Sequence, residues 1–128
     1  MQRPYALSCH CGNIRLEVDA ELKDLGECNC STCRRFGFIH WKVPRDAIQM
    51  LDEKRNLSTY AWQCVRCLWH FCPTCGTTIL CTGYPGGIIS VNARCIDYVD
   101  VFEFSVARYD GRNLMMPGPI TREPIVQR

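Results

Sequence analysis

Leu68-Trp69-His70-Phe71-Cys72-Pro73-Thr74-Cys75-Gly76-Thr77-Thr78-Ile79-Leu80-Cys81 reads as two short strands joined by a turn that carries two sulfurs. Leu68 to Phe71 leads in and Thr77 to Cys81 leads out. Cys72 and Cys75 stand two residues apart, and Gly76 lets the chain bend tightly behind them. That is the form of a metal knuckle set in a hairpin. Two thiols need two more soft donors to close a tetrahedron around one ion.

A second pair lies far upstream, in Cys9-His10-Cys11-Gly12-Asn13. Joining it to the knuckle closes a loop of about sixty residues. Cys9, Cys11, Cys72 and Cys75 are thus expected to form a closed four-thiolate zinc site that ties the amino-terminal segment to the middle of the fold. The plain alternative is buried cysteines acting as small apolar residues, which these spacings disfavour. His10 and His70 flank the four sulfurs and are read as packing or supporting groups, because the thiolates already fill the set.

A third group, Cys28-Asn29-Cys30-Ser31-Thr32-Cys33, puts three cysteines in six residues. Three sulfurs hold zinc and leave one coordination position for water or substrate, the arrangement of a catalytic site. A thiol substrate suits it, since zinc binds thiolates and lowers the pKa of the thiol it holds. Two other readings stay open: a closed site with Cys95 or another cysteine as fourth ligand, and a redox pair. Arg34 and Arg35 follow directly and favour nearby thiolates. They are also suited to an anionic ligand. Cys64-Val65-Arg66-Cys67 forms one more pair, with spacing that permits metal binding or thiol exchange. Cys81 reads as a core residue.

The chain has 128 residues, eleven cysteines and a formal charge of +2. The length suits one domain, expected over residues 1–116, with an extended or disordered tail over 117–128. The odd cysteine count argues against a fully paired disulfide framework. No secretory leader and no membrane-crossing stretch are visible, so a reducing, cytoplasmic setting is expected. The basic residues are scattered, which speaks against a nucleic-acid surface.

Further strands are expected at Ile14-Leu16-Val18, around Trp41 to Val43, over Ser58 to Trp62, at Ile88 to Val91, and over Val101 to Val106. Asp110-Gly111-Arg112-Asn113 reads as a turn. The fold class is mainly β, built from short antiparallel strands stapled by metal.

At these same residues the chain resembles the family of glutathione-dependent formaldehyde-activating enzymes, which includes centromere protein V. Cys9-His10-Cys11-Gly12 is similar to its opening motif. Cys28-Asn29-Cys30-Ser31-Thr32-Cys33-Arg34 is similar to its central one. His70-Phe71-Cys72-Pro73-Thr74-Cys75-Gly76, Val91-Asn92-Ala93-Arg94-Cys95-Ile96-Asp97 and Asp110-Gly111-Arg112-Asn113 follow in order. The chain departs from the pattern at Gln63, where the family has glycine.

The resemblance implies a β-tent fold. It assigns Cys9, Cys11, Cys72 and Cys75 to a structural zinc, and Cys28, Cys30 and Cys33 to a catalytic zinc. It implies a carbon–sulfur lyase that joins glutathione and formaldehyde into S-hydroxymethylglutathione, with Arg34 or Arg35 holding a glutathione carboxylate. The competing reading is a non-catalytic zinc scaffold for a protein partner, with Trp41, Trp62 or Trp69 as anchors. The oligomeric state is not legible in the sequence.

Overall fold

Alternation of apolar and polar residues sets the strands. In the computed structural model, which describes residues 3–51, 56–62 and 67–114, most of the well-patterned segments are extended. In chain order the elements are β1 (Tyr5–Ser8), β2 (Arg15–Val18), β3 (Leu25–Cys28), α1 (Ser31–Phe36), β4 (Ile39–Pro44), β5 (Ile48–Met50), β6 (Ser58–Trp62), β7 (Cys67–Phe71), β8 (Thr78–Thr82), β9 (Ile88–Asn92), β10 (Val106–Tyr109) and α2 (Gly111–Leu114). They form two sheets, one ordered β1-β2-β5 and one ordered β10-β3-β4-β9-β8-β7-β6. The expectation of a mainly β fold holds.

The main core fills the space between these sheets. Ile14, Leu16 and Val18 are fully buried there, with Trp41, Val43, Ile79 and Val91 opposite. A second, smaller core gathers Cys28, Cys33, Phe38, Trp69 and Cys81. On β4 the side chains of Trp41 and Val43 enter the main core, while Phe38, just before the strand, belongs to the smaller one. The period of two thus gives the large sheet a buried face on each side at this end. Trp41 and Trp69 are core residues and not exposed anchors. The Trp62 side chain, Cys64 and the tail 117–128 lie outside what the structure describes.

The structure corrects three expectations. Not every pairing is antiparallel: β10 runs parallel to β3, from Val106 beside Leu25 to Tyr109 beside Cys28. Val101 to Val106 is not a strand. Asp100 accepts the Phe102 N–H at 2.9 Å and turns Val101–Glu103 into a 3-10 helix, so the strand starts only at Val106. The Asp110-Gly111 turn continues into the short helix α2. The sequence reading also passed over β1, whose four residues alternate but are too few to stand out.

Asn92 joins three pieces of the large sheet. Its amide donates to the Thr78 carbonyl at 2.8 Å, and its oxygen accepts the N–H groups of Ile39 and Arg94. It is almost fully buried. Asn92→Ala strands these backbone groups, and a loss of about 2–3 kcal/mol is expected. Urea denaturation of the metal-loaded protein measures it. A change below a few tenths would refute the role.

Candidate metal centres

Two hairpin knuckles build the first centre. The turn between β1 and β2 holds Cys9 and Cys11, and the turn between β7 and β8 holds Cys72 and Cys75. The knuckles are alike. Gly12 N–H donates to the Cys9 carbonyl at 3.1 Å, and Gly76 N–H to the Cys72 carbonyl at 2.8 Å. Both glycines have φ near +80°, at 84° and 81°, which side chains with a Cβ adopt only with strain.

The four sulfurs lie within 4.8 Å of one another. Cys9 and Cys11 Sγ are 3.6 Å apart, and Cys11 and Cys72 Sγ 3.7 Å apart. A tetrahedron with zinc–sulfur arms has edges of about 3.8 Å, so the set fits such an ion. Backbone N–H groups support it: Ile14 donates to Cys9 Sγ and Thr74 to Cys72 Sγ. The Thr77 hydroxyl beside Cys75 Sγ, together with the Thr77 N–H, pulls the Cys75 thiol down to about 5. The centre clamps the small sheet to the large one.

Cys95 was a possible fourth ligand for the other cysteine cluster, and its position rules this out. It is buried in the main core, and burial, with the charges of Cys9, Asp97 and Cys75, pushes its thiol up to about 12. His10 and His70 stand outside both sulfur groups. His10 offers its backbone N–H to Thr77, and the His70 ring is bridged between Thr59 and Thr82.

The second centre sits where β3 meets α1. Cys28 ends the strand, Cys30 caps the helix, and Cys33 lies buried in its first turn. Their sulfurs lie within 4.8 Å of one another. Cys30 N–H donates to Cys28 Sγ and Cys33 N–H to Cys30 Sγ, each at 3.4 Å. The Gly111 N–H, from the start of α2, also reaches Cys28 Sγ. The Cys33 thiol hydrogen-bonded to Cys30, aided by Thr32 and the Cys33 N–H, draws Cys30 down to about 4. Cys33 is pushed up by that same bond and by burial. Cys28 is raised, chiefly by burial. In the metal-free protein the negative charge therefore settles on Cys30.

One group beside this centre was missed in the sequence. His40 Nε2 is 3.2 Å from Cys33 Sγ, and its Nδ1 is 2.6 Å from the Ser90 hydroxyl. Burial, with Lys42 nearby, lowers the ring pKa to about 4, so it is neutral at pH 7. When Cys33 is a thiolate, Nε2–H must donate to it, and Ser90 O–H then donates to Nδ1. A lone histidine between Ile39 and Trp41 carries no signal of its own in the sequence. The second core, which only the folded sheet reveals, covers it.

Among the described residues, Trp69 Nε1 is a fully buried side-chain donor without a partner. The Trp69 ring packs edge-on against Phe36 and Phe38, with centroids 5.1 and 5.2 Å away. Of the two arginines, Arg35 is turned back onto the Ser31 carbonyl at 3.0 Å, and Arg34 is exposed.

The model of the family described as glutathione-dependent formaldehyde-activating enzyme matches residues 4–109. The chain belongs to this family. The match includes both sulfur centres and stops just before Gly111. Among solved structures, that of a Rhodobacter sphaeroides protein determined as a structural genomics target is similar. The two are 25% identical with a TM-score of 0.73, over 81% of this chain and 99% of that one. The activity attached to the family is glutathione-dependent activation of formaldehyde. No helix among the described residues is long and apolar enough to cross a membrane.

For this formaldehyde-activating family member, His40 is expected to tune the second centre. His40→Gln keeps a donor of similar reach and His40→Ala removes it. Metal affinity of the Cys28–Cys30–Cys33 set should fall about 10- to 100-fold in the alanine variant and recover in part with glutamine. Competition with a chromogenic chelator reads this, with the four-sulfur centre as internal reference. Equal affinity in all three proteins would exclude the role.

Proposed function

We propose that the chain is a zinc-dependent carbon–sulfur lyase acting on the adduct of glutathione and formaldehyde, S-hydroxymethylglutathione. The observation that carries this reading is the contrast between the two centres. One has four sulfurs at the edge lengths of a complete tetrahedron. The other brings together three sulfurs, with a neutral imidazole on one of them. Cys9, Cys11, Cys72 and Cys75 hold a structural zinc, and Cys28, Cys30 and Cys33 hold a second one.

Zinc bound by three thiolates supplies a Lewis acid that favours the thiolate form of an incoming thiol. The residues of the chain do the rest. His40 Nε2 holds a proton against Cys33 and fixes that sulfur's orientation. Phe36, Phe38 and Trp69 wall the centre on one side and exclude water. In the forward direction the glutathione sulfur bonds to the formaldehyde carbon. The carbonyl π pair moves to oxygen, which takes up a proton. Arg34, exposed on α1 beside the centre, is suited to a glutathione carboxylate.

The test is formaldehyde consumption with glutathione, measured against the spontaneous rate on protein carrying two zinc ions. No excess rate would sink this substrate assignment. Two saturated metal ions with no glutathione binding would favour the scaffold reading instead.

A further inference from the structure

The sequence offers Cys64 and Cys67 as a pair, but the folded chain gives Cys67 a different neighbour. Cys67 opens β7 and Cys81 lies on β8. Trp69 stands directly opposite Cys81 in the ladder, so Cys67, two residues before it, faces the same side of the sheet. The neighbouring Cys67 thiol, with burial, pushes the Cys81 thiol well up, and the Tyr84 hydroxyl acts in the opposite direction. All three side chains belong to the smaller core that also contains Cys28 and Cys33. The reaction proposed above uses none of them.

We infer that Cys67 and Cys81 form a dithiol site that exchanges with low-molecular-weight disulfides and closes into a cross-strand disulfide. Accessibility assigns the roles. Cys67 is half-buried and Cys81 fully buried, so a small disulfide reaches Cys67 first. The Cys67 thiolate attacks one sulfur of the disulfide RS–SR, forms a mixed disulfide and releases RS⁻. Cys81, having given up its proton, then attacks the Cys67 sulfur and expels the second RS⁻. The sum is two protein thiols and one RS–SR going to one protein disulfide and two RSH. The protein is oxidised and the small disulfide reduced.

A diagonal pair across two strands is wider than the usual disulfide span. The two thiols nonetheless share the smaller core and lie near enough for Cys67 to act on Cys81. Cys67 also stands one residue beyond Leu68–Thr82, the last pair of the β7–β8 ladder. On its other side it pairs with Trp62, the last pair of the β6–β7 ladder, so closing the remaining gap shifts the ends of both strands. The Tyr84 hydroxyl is placed to hold the Cys81 sulfur as its proton leaves.

This site is independent of formaldehyde chemistry and requires no metal. The experiment treats the full-length, metal-loaded protein with oxidised glutathione, then maps its disulfides by peptide mass spectrometry and measures bound metal. The expected result is loss of two thiols per chain, a Cys67–Cys81 linkage, both metal ions retained, and reversal by dithiothreitol. In Cys81→Ala the first step should stop at one glutathione carried on Cys67. In Cys67→Ser neither product should form. A Cys64–Cys67 linkage would overturn the inference. So would oxidation of Cys28, Cys30 or Cys33 with metal release before Cys67 reacts, or no loss of thiols at all.

Discussion

Cys30→Ser yields a folded protein that holds one metal ion instead of two and has lost glutathione-dependent formaldehyde consumption. The substitution separates fold from chemistry. Cys30 is the N-cap of α1, and its sulfur accepts the Cys33 N–H at 3.4 Å. Serine is among the preferred N-cap residues, so the helix keeps its cap. What disappears is the sulfur on which the negative charge of this centre settles. A hydroxyl is a far poorer ligand for a soft site. Removing a supporting group costs up to about 100-fold in activity, so losing a ligand should cost more than about 100-fold. Metal analysis and the formaldehyde assay together decide it. Two retained ions with an undiminished rate would remove the Cys28–Cys30–Cys33 set from the reaction.

Cys72→Ala has the opposite signature: it takes the fold with it. Cys72 is fully buried, and Cys11 Sγ stands 3.7 Å away across the two sheets. Binding of a structural zinc is worth on the order of 10–16 kcal/mol, whereas a whole domain is stable by only about 5–15 kcal/mol. A centre that spans both sheets therefore decides whether they stay together. The variant should show no cooperative melting transition by circular dichroism, and the wild-type chain stripped by a strong chelator should behave in the same way. If Cys72→Ala melts at the wild-type temperature, the four sulfurs are not what joins the sheets.

The sulfur centres were legible because their spacing is local. Cys72-x-x-Cys75 and Cys28-x-Cys30-x-x-Cys33 specify knuckles whatever surrounds them. Cys9 and Cys11 were matched to the distant pair by spacing, although Cys64 and Cys67 offered two soft donors nearer by. The strands around Leu16, Trp41, Leu68 and Val91 followed from alternation.

What escaped depends on long-range geometry. Nothing in Val106 to Tyr109 announces a parallel partner in β3. His40 gains its meaning from Ser90, fifty residues on, and from a second core on the far side of β4. The run from Val101 to Val106 misled because one local bond, Phe102 N–H to Asp100, overrode its alternation. Cys95 was misplaced for a related reason: a cysteine with no close neighbour in sequence carries no sign of which centre it approaches.

The parallel pairing of β10 with β3 also bears on how the protein is made. It brings the Gly111 amide onto Cys28 Sγ. A ribosome releases the chain from its amino end. All four sulfurs of the clamping centre have emerged once Cys75 is out, whereas the cradle of the reactive centre is incomplete until Gly111 follows. The clamping sulfurs thus emerge before the last backbone group beside Cys28. During that interval Cys28 lacks the Gly111 amide, and a translation product truncated before Gly111 would lack it permanently.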